Sequence, residues 1–557
     1  MTAQTHGRPV LRARQLRLLM FGLMTGMLLA ALDQTIVGTA LPTIVGELGG
    51  IDHYSWVVTA YLLASTASTP LYGKMADLYG RRPVFLFSIG TFLLGSLLAG
   101  LSQNMTQLIV TRGVQGIGAG GLMTLAFTII SDVVSPRERG RYQGFFGAVF
   151  GVSSVAGPLV GGYFAETNWR WIFYLNVPLA ILAIVVCYHV LRLIPFERRD
   201  HTVDWLGAGL LVAGVSALLL ALSWGGNSYA WGSVVIIGLF VAGAVLGVAF
   251  VLQEARVAEP ILPLRLFRSA TFALANSAGF VLGLVMFGSI IFIPLYLQIV
   301  KGATPTRSGL LMLPMMAGII VTSIVTGRAM SRIGRYKWFP VAGSVVLVVG
   351  MLLFTRLEVD SSLWAAFGYM VVIGVGLGLC MQSLILGVQN AVDIRDLGAG
   401  TSSATFFRSL GGSFGVAILG AVLSSRLASG LADRLPAAIA QLPAEQRAAV
   451  TAGGTDISIN DPATILALPG PVRAAIQASF VESLHLVFLT TGLIALVAVL
   501  VTLALPNDQL RGAGPQGATG GVDPLGGKAP APGGKPLPKE TKEEAATDMN
   551  AKSQTML

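Results

Sequence analysis

The sequence predicts an all-α protein that crosses a membrane many times, and three observations predict it. The chain is 54% hydrophobic and only 11% charged over 557 residues, with a mean hydropathy of +0.73. Soluble domains carry about 25% charged residues. Its apolar runs are about 20 residues long, enough to span a bilayer as helices, whereas barrel strands would alternate over about 10. Its basic residues gather in short clusters between those runs, as in loops on the cytoplasmic side of a membrane. That clustering also removes the nucleic-acid reading that a net charge of +10 invites.

Windows of about 19 residues mark fourteen spans. They lie near 17–41, 55–74, 83–101, 106–130, 142–164, 173–193, 204–224, 232–252, 272–299, 308–330, 338–356, 363–387, 399–425 and 484–505. Arg8, Arg12, Arg14 and Arg17 precede the first run like the start of a signal peptide. The run is too long and too many follow it, so it reads as an uncleaved first helix. The loops after spans 2, 4, 6, 8 and 10 carry Arg81 and Arg82; Arg137, Arg139 and Arg141; Arg198 and Arg199; Arg256, Arg265 and Arg268; and Arg332, Arg335 and Lys337. The loops after spans 1, 3 and 7 carry no Lys or Arg. Positive residues stay inside, so both termini are expected to be cytoplasmic.

An internal repeat sets the domain plan. Gly73, Asp77, Gly80 and Arg81 follow span 2, and Gly327, Ser331, Gly334 and Arg335 repeat the offsets after span 10. Glycine-rich stretches at 157–162 in span 5 and 411–415 in span 13 support the register. The plan is a basic N-terminus at 1–16, a six-helix half at 17–195 and an inserted helix pair, spans 7 and 8, at 196–255. A second six-helix half follows at 256–505, with an external loop at 427–482 and short amphipathic helices expected near Pro436–Val450. The tail, 506–557, is rich in Gly, Pro, Lys and Glu from residue 511 and is expected to be disordered. Two homologous halves around a midplane site are a transporter plan.

Asp33 is the most informative residue, a carboxylate inside the first apolar helix. Such a charge is costly in hydrocarbon and faces a cavity or a partner. Counting back from Pro42 sets it roughly 13 Å deep. Gly22, Gly26, Ala30, Val37 and Ala40 share its face and leave room for water, substrate or a close helix. Burial of an acid favours its neutral form and a neighbouring cation favours the carboxylate, so alternating access can switch proton uptake and release. Arg112 in span 4 lies roughly 9 Å deep and is the natural partner, a fixed positive charge. Gly73, Asp77, Gly80 and Arg81, with Asp132 at the end of span 4, form a candidate conformational gate; Asp77 and Arg81 are four apart and can pair across the turn. Gly157, Pro158, Gly161 and Gly162 give span 5 a smooth, bendable face for rocking between halves. Gln34, Tyr61, Gln115, Gln298, Tyr369 and Gln382 are candidate polar or aromatic contacts of a central cavity. Arg408, a few turns into span 13, reads equally as a functional group or as one that snorkels to the cytoplasmic face.

Other chemistry is excluded. The stretch 116–121 matches the dinucleotide fingerprint formally but lies in an apolar span with no preceding strand. No G-x-x-x-x-G-K-[ST] stretch exists, which disfavours a self-contained ATP-driven pump. Cys187 and Cys380 are far apart and read as buried packing, with no zinc spacing. His189, His201 and His485 lie near span ends and read as interfacial. No cofactor, no metal and no enzyme chemistry is expected.

Together these residues resemble the major facilitator superfamily, and within it the fourteen-helix drug:proton antiporters of the EmrB/QacA type. The resemblance covers about 15–505. It rests on Leu32-Asp33-Gln34-Thr35-Ile36-Val37 with Ala40-Leu41-Pro42, on Gly73 to Arg82, on Arg112 with Gln115-Gly116, on Gly157-Pro158-Leu159-Val160-Gly161-Gly162, and on Trp169 to Pro178. It implies a plasma-membrane, proton-coupled multidrug efflux antiporter that exports lipophilic, often cationic, molecules by alternating access. Asp33 would be the membrane-embedded acid, Arg112 the fourth-helix base, Gly73–Arg81 the gate and Gly157–Gly162 the antiporter motif. Protons, the bilayer and the cargo are the expected partners, and the external loop leaves room for an envelope adaptor protein. Three departures stand out. Gly38 replaces the family's usual asparagine, which removes one polar contact near Asp33. Ser331 replaces the gate acid in the second half. Spans 10 and 13 lack an internal acid, which points to neutral or monovalent cargo. The rival readings are an exporter dedicated to one endogenous metabolite, lipid or antibiotic, and a non-transporting sensor or partner subunit.

Overall fold

The computed structural model describes residues 12–48, 54–134, 136–193, 204–226, 228–443, 446–447 and 468–510. The regular structure of the described residues is helical, with two isolated bridges, Gly225 to Tyr229 and Arg335 to Gln509, and no strand. Twelve described helices are long and apolar enough to cross a membrane. Two further expected spans fall outside that set. Tyr54–Tyr79 is long but carries Lys74, Asp77 and several hydroxyls, and Trp338–Phe354 is apolar but only 17 residues long.

The first group comprises α1 (Ala13–Leu48), α2 (Tyr54–Tyr79), α3 (Arg81–Gly100), α4 (Met105–Val133), α5 (Pro136–Thr167), the single turn α6 (Trp171–Tyr174) and α7 (Asn176–Leu191). Here α1 packs on α5 and α7, and α4 packs on α2 and α3. Next come α8 (Trp205–Trp224) and α9 (Val234–Glu254), the pair expected as an insertion. α8 leans on α2 through Thr59 and Ser223, whose hydroxyls are 2.9 Å apart, and through Trp56 edge-on to Trp224. The last group comprises α10 (Ala270–Leu295), α11 (Pro305–Leu311), α12 (Leu313–Ile333), α13 (Trp338–Phe354), α14 (Leu363–Ala391), α15 (Leu397–Ala440) and α16 (Gly470–Leu503). Here α12 packs on α14, α10 on α15, and α13 on both α14 and α16. The two groups meet where α5 lies against α12 and α2 against α15.

The repeated loop has a backbone cause. Gly80 (φ 92°) and Gly334 (φ 72°) both take the positive φ that ends one helix and turns the chain into the next. The external loop expected at 427–482 is narrower. α15 continues to Ala440 through Pro436, and α16 already begins at Gly470. Glu482 accepts hydrogen bonds from Arg426 and, at 2.5 Å, from Arg434, which ties those extra turns together. Residues 444–445 and 448–467, the tail 511–557, the N-terminal residues 1–11 and His201 lie outside the described residues.

The ninth expected span ends in a π-turn over Tyr296–Val300. Its freed carbonyls at Ile299 and Val300 accept hydrogen bonds from Gln477 Nε2 at 3.3 and 3.2 Å. Glycines let α10 and α15 approach: a Cβ on Gly411 would run into the Phe280 carbonyl oxygen, and one on Gly415 would lie 2.7 Å from that of Leu284. Gly411→Ala is therefore expected to destabilise the protein by about 1–3 kcal/mol. Gly420→Ala, with nothing within 4 Å of its Cβ, is the control; thermal unfolding in detergent reads both.

At the far end of α1, beyond its apolar stretch, Glu47 accepts from Arg170 Nη1 at 2.5 Å and from Trp169 Nε1 at 2.8 Å. The Arg170 and Trp169 bonds hold its carboxyl below the usual 4.5. A depressed acid stabilises the fold above its ordinary titration range, and the effect is lost as pH falls through the folded value. The group is exposed, so its worth is below about 1 kcal/mol. Glu47→Gln is expected to lower the melting temperature slightly at pH 7, and the difference from wild type should vanish as pH falls through the lowered folded value of Glu47.

Candidate functional site

The site is built around Asp33, which is 1% exposed. Arg112 on α4, equally buried, forms an ion pair with Asp33 Oδ2 through Nη1. The same Nη1 donates to Gln115 Oε1 at 2.7 Å. Gln115 Nε2 returns a hydrogen bond to Asp33 Oδ1 at 2.8 Å. Asn176 Nδ2 donates to Asp33 Oδ1 at 3.2 Å and to Ser96 Oγ at 2.9 Å. The Arg112 guanidinium carbon stands 4.2 Å over the ring of Tyr61, whose hydroxyl donates to the Ala30 carbonyl at 3.1 Å. Each contact has a local cause. Arg112 and Gln115 are three apart, so α4 presents them on one face. Asn176 opens α7 after the break at Leu175, and Pro178, which has no N–H to lose, fits that first turn.

This geometry revises several expectations. Tyr61 and Gln115, taken from sequence as cavity contacts, complete the Asp33–Arg112 cluster instead. Gln34 is half-buried beside it. Gln298 bonds Ser308 at 2.9 Å, and Tyr369 is half-buried against Phe354. Gln382 is buried with its Oε1 unpartnered. The small-residue stripe on α1 is closed by neighbouring helices rather than open to water: a Cβ on Gly22 would meet Cys187 Sγ at 2.7 Å, and one on Gly26 would meet Phe85 at 3.0 Å. Gly38 is exposed with nothing within 4 Å. It lies about 140° around the helix from Asp33, so an asparagine there would not face the acid. Asn176 supplies the amide that sequence reading found missing. Its signal lay in the Trp169–Pro178 motif, whose one charge, Arg170, pairs with Glu47 and whose Asn176 is neutral.

The gate residues also converge. Arg81 bonds Asp77 Oδ1 through Nη1 at 2.5 Å and Asp132 Oδ2 through Nε at 2.6 Å. Asp77 accepts further hydrogen bonds from the backbone N–H groups of Gly398 at 3.2 Å and Ala399 at 3.0 Å. These N–H groups open α15, where the helix dipole favours an anion. Asp77 thus clasps the first group of helices to the last. Gly73 is needed there, because a Cβ would run into Ser402 and lie 2.6 Å from the Gly398 carbonyl oxygen. One helix turn before Asp77, Lys74 pairs with Glu259 at 2.6 Å in the segment after α9. Ser331 in the second loop bonds its own helix at Gly327, as its missing charge dictates.

On α5 the glycines divide their work. Gly157 and Gly161 pack on α1 at Thr35 and Ile36, within one turn of Asp33, and Gly162 is half-buried. Thr35 Oγ1 donates to the Ser153 carbonyl at 3.0 Å. Within 157–162 the contact between helix groups is made by Pro158, which faces Gly309, and it continues along α5 at Gly147 and Gly151, which face Ser323 and Ile320.

A bundle of apolar helices with a buried acid–base cluster and a charged clasp between its two groups defines a multi-pass membrane transporter. The chain belongs to the Major Facilitator Superfamily, whose family model matches residues 23–416. It is 40% identical over 504 residues to the multidrug transporter protein MdtP of Bacillus subtilis (strain 168), covering 88% of this chain and 92% of that one. It is 38% identical over 421 residues to multidrug resistance protein 3 of the same organism, covering 75% and 81%. Among solved structures it matches the crystal structure of the human organic anion transporter MFSD10 with a TM-score of 0.56 at 14% identity, over 87% and 99% of the two chains. That likeness concerns the fold alone.

Proposed function

We propose that the protein is a proton-coupled multidrug efflux antiporter of the plasma membrane that exports lipophilic small molecules by alternating access. In this reading it belongs to the fourteen-helix EmrB/QacA type, with Tyr54–Tyr79 and Trp338–Phe354 as the remaining two spans and both termini cytoplasmic. The observation that carries it is the Asp33 cluster. Both carboxylate oxygens are engaged, one by Arg112 and the other by Gln115 and Asn176. A proton that joins Asp33 removes the charge that holds Arg112 and turns one oxygen into a donor, so these contacts rearrange and free α4 and α7 to move relative to α1. Protonation and conformation are therefore tied through the same contacts. Each proton entering down the membrane potential supplies about 2.3 kcal/mol per 100 mV. The names of two relatives, multidrug transporter and multidrug resistance protein, support the cargo class.

No cofactor enters this reading, and the proton gradient is the energy source. The test is proton release driven by substrate in vesicles that contain the purified protein. Coupled flux in wild type supports the proposal. Facilitated dye movement indifferent to an imposed pH gradient overturns it.

A further inference from the structure

Among the described residues every buried arginine but one has a protein acceptor, although the Nε of Arg112 is left unpartnered. Arg112 is bound by Asp33 and Gln115. Arg81 is bound by Asp77 and Asp132. Arg139 donates to the carbonyls of Ser131 at 2.6 Å and Val134 at 3.4 Å. Arg408 on α15 is only 7% exposed and has no hydrogen bond, ion pair or ring contact among the described residues. It stands eleven residues into α15, about 16 Å along the axis, which is beyond the reach of a snorkelling side chain.

The surroundings explain why no internal partner takes its donors. α10, α12 and α14 contain no Asp or Glu, and α15 has none until Asp433 near its far end. Asp33, the one acid deep in the first group, is already paired. Two buried acceptors of the last group are also vacant, Asn276 Oδ1 and Gln382 Oε1. Asn276 shares a face of α10 with Gly279 and Gly283, and those glycines approach the carbonyls of Ala404 and Arg408. Asn276 therefore lies on the face of α10 that packs against α15.

A guanidinium held within the helix bundle without a protein acceptor is disfavoured, and a partner that arrives with opposite charge relieves that cost. Resting on the exporter reading above, we propose that Arg408 recognises an anionic group on the cargo, so that the exported molecules are amphipathic organic acids (carboxylates, sulfonates or acidic phenols). A cation, the charge that the family resemblance suggested, would meet repulsion here. Guanidinium donors in a fixed fork match a planar or tetrahedral oxyanion, and the vacant Oδ1 of Asn276, on the α10 face that packs against α15, suits a hydroxyl on the same molecule.

The test uses two dyes that differ only in the acid, 8-anilino-1-naphthalenesulfonate and N-phenyl-1-naphthylamine. Equilibrium binding to the full-length protein in nanodiscs is read by fluorescence, with empty nanodiscs subtracted. Wild type is expected to bind the sulfonate at least tenfold more tightly than the neutral amine. Arg408→Gln is expected to weaken sulfonate binding tenfold or more and to leave the amine within twofold. Arg408→Lys should recover part of the loss, since it keeps charge but not the fork. If Arg408→Gln does not purify as a single species, Arg408→Lys carries the test through a selective weakening of the sulfonate. Equal affinity of wild type for the two dyes, no binding of the sulfonate, or an equal loss of both dyes in the variants overturns the proposal. Export is measured separately in vesicles. Selective sulfonate binding without movement of either dye leaves Arg408 as an anion site and sinks the exporter reading instead.

Discussion

Asp33→Asn is expected to abolish coupled proton flux, by a hundredfold or more, and also to destabilise the protein. Asparagine has nearly the same shape, so packing against Gln115 and Asn176 survives. The charge does not survive, and Arg112 is left buried with Tyr61 and Gln115 as its remaining partners. Breaking a buried pair from one side costs about 3–5 kcal/mol, because the surviving ion has lost its compensation. The two effects separate in the double variant. Asp33→Asn with Arg112→Gln removes both charges, so it should regain most of the lost stability while coupled flux remains absent. A single variant with intact coupling would sink the proton role of Asp33. A double variant as unstable as the single one would show that the pair acts through shape rather than charge. Thermal unfolding reads stability, and a pH-sensitive dye inside vesicles reads flux.

The helices were legible because a bilayer demands about 20 apolar residues per span, and nothing else in the chain competes with that signal. The Asp33–Arg112 pair was legible because two charges at similar depth in oil must meet. The turn after α2 was legible through its repeat, down to the glycine that reverses the chain at Gly80 and again at Gly334. What escaped was neutral. Asn176 and Ser96 carry no charge, so hydropathy windows pass over them, yet Asn176 reaches Asp33. The partner of Asp77 was invisible for a different reason. It is a pair of backbone N–H groups more than 320 residues away, and backbone donors leave no trace in a sequence. The extension of α15 to Ala440 was hidden because it runs past the apolar stretch, where propensity rather than hydropathy sets the helix.

Asp77→Ala is expected to open the clasp between α2 and α15. The acid holds Arg81 on one side and the first N–H groups of α15 on the other. Hydrogen bonds to a charged group are worth about 1.5–3 kcal/mol each, so losing the two that join the helix groups shifts the balance between closed and open states by about 3–6 kcal/mol. A shift near 5.5 kcal/mol carries a population from about 1:99 to 99:1. Spin labels at the exposed Tyr79 and Arg395 positions flank the clasp. With Cys187 and Cys380 replaced by serine, the distance between labels should lengthen in Asp77→Ala and stay single and short in the parent. Turnover should fall at least tenfold while dye affinity changes less than threefold, because Arg408 and the cluster around Asp33 are both left in place. Gly73→Val should open the same junction by another route, by collision with Ser402 and Gly398 rather than by loss of charge. If neither variant changes the distance, the contact is packing alone, and the switch between access states must lie where α5 meets α12.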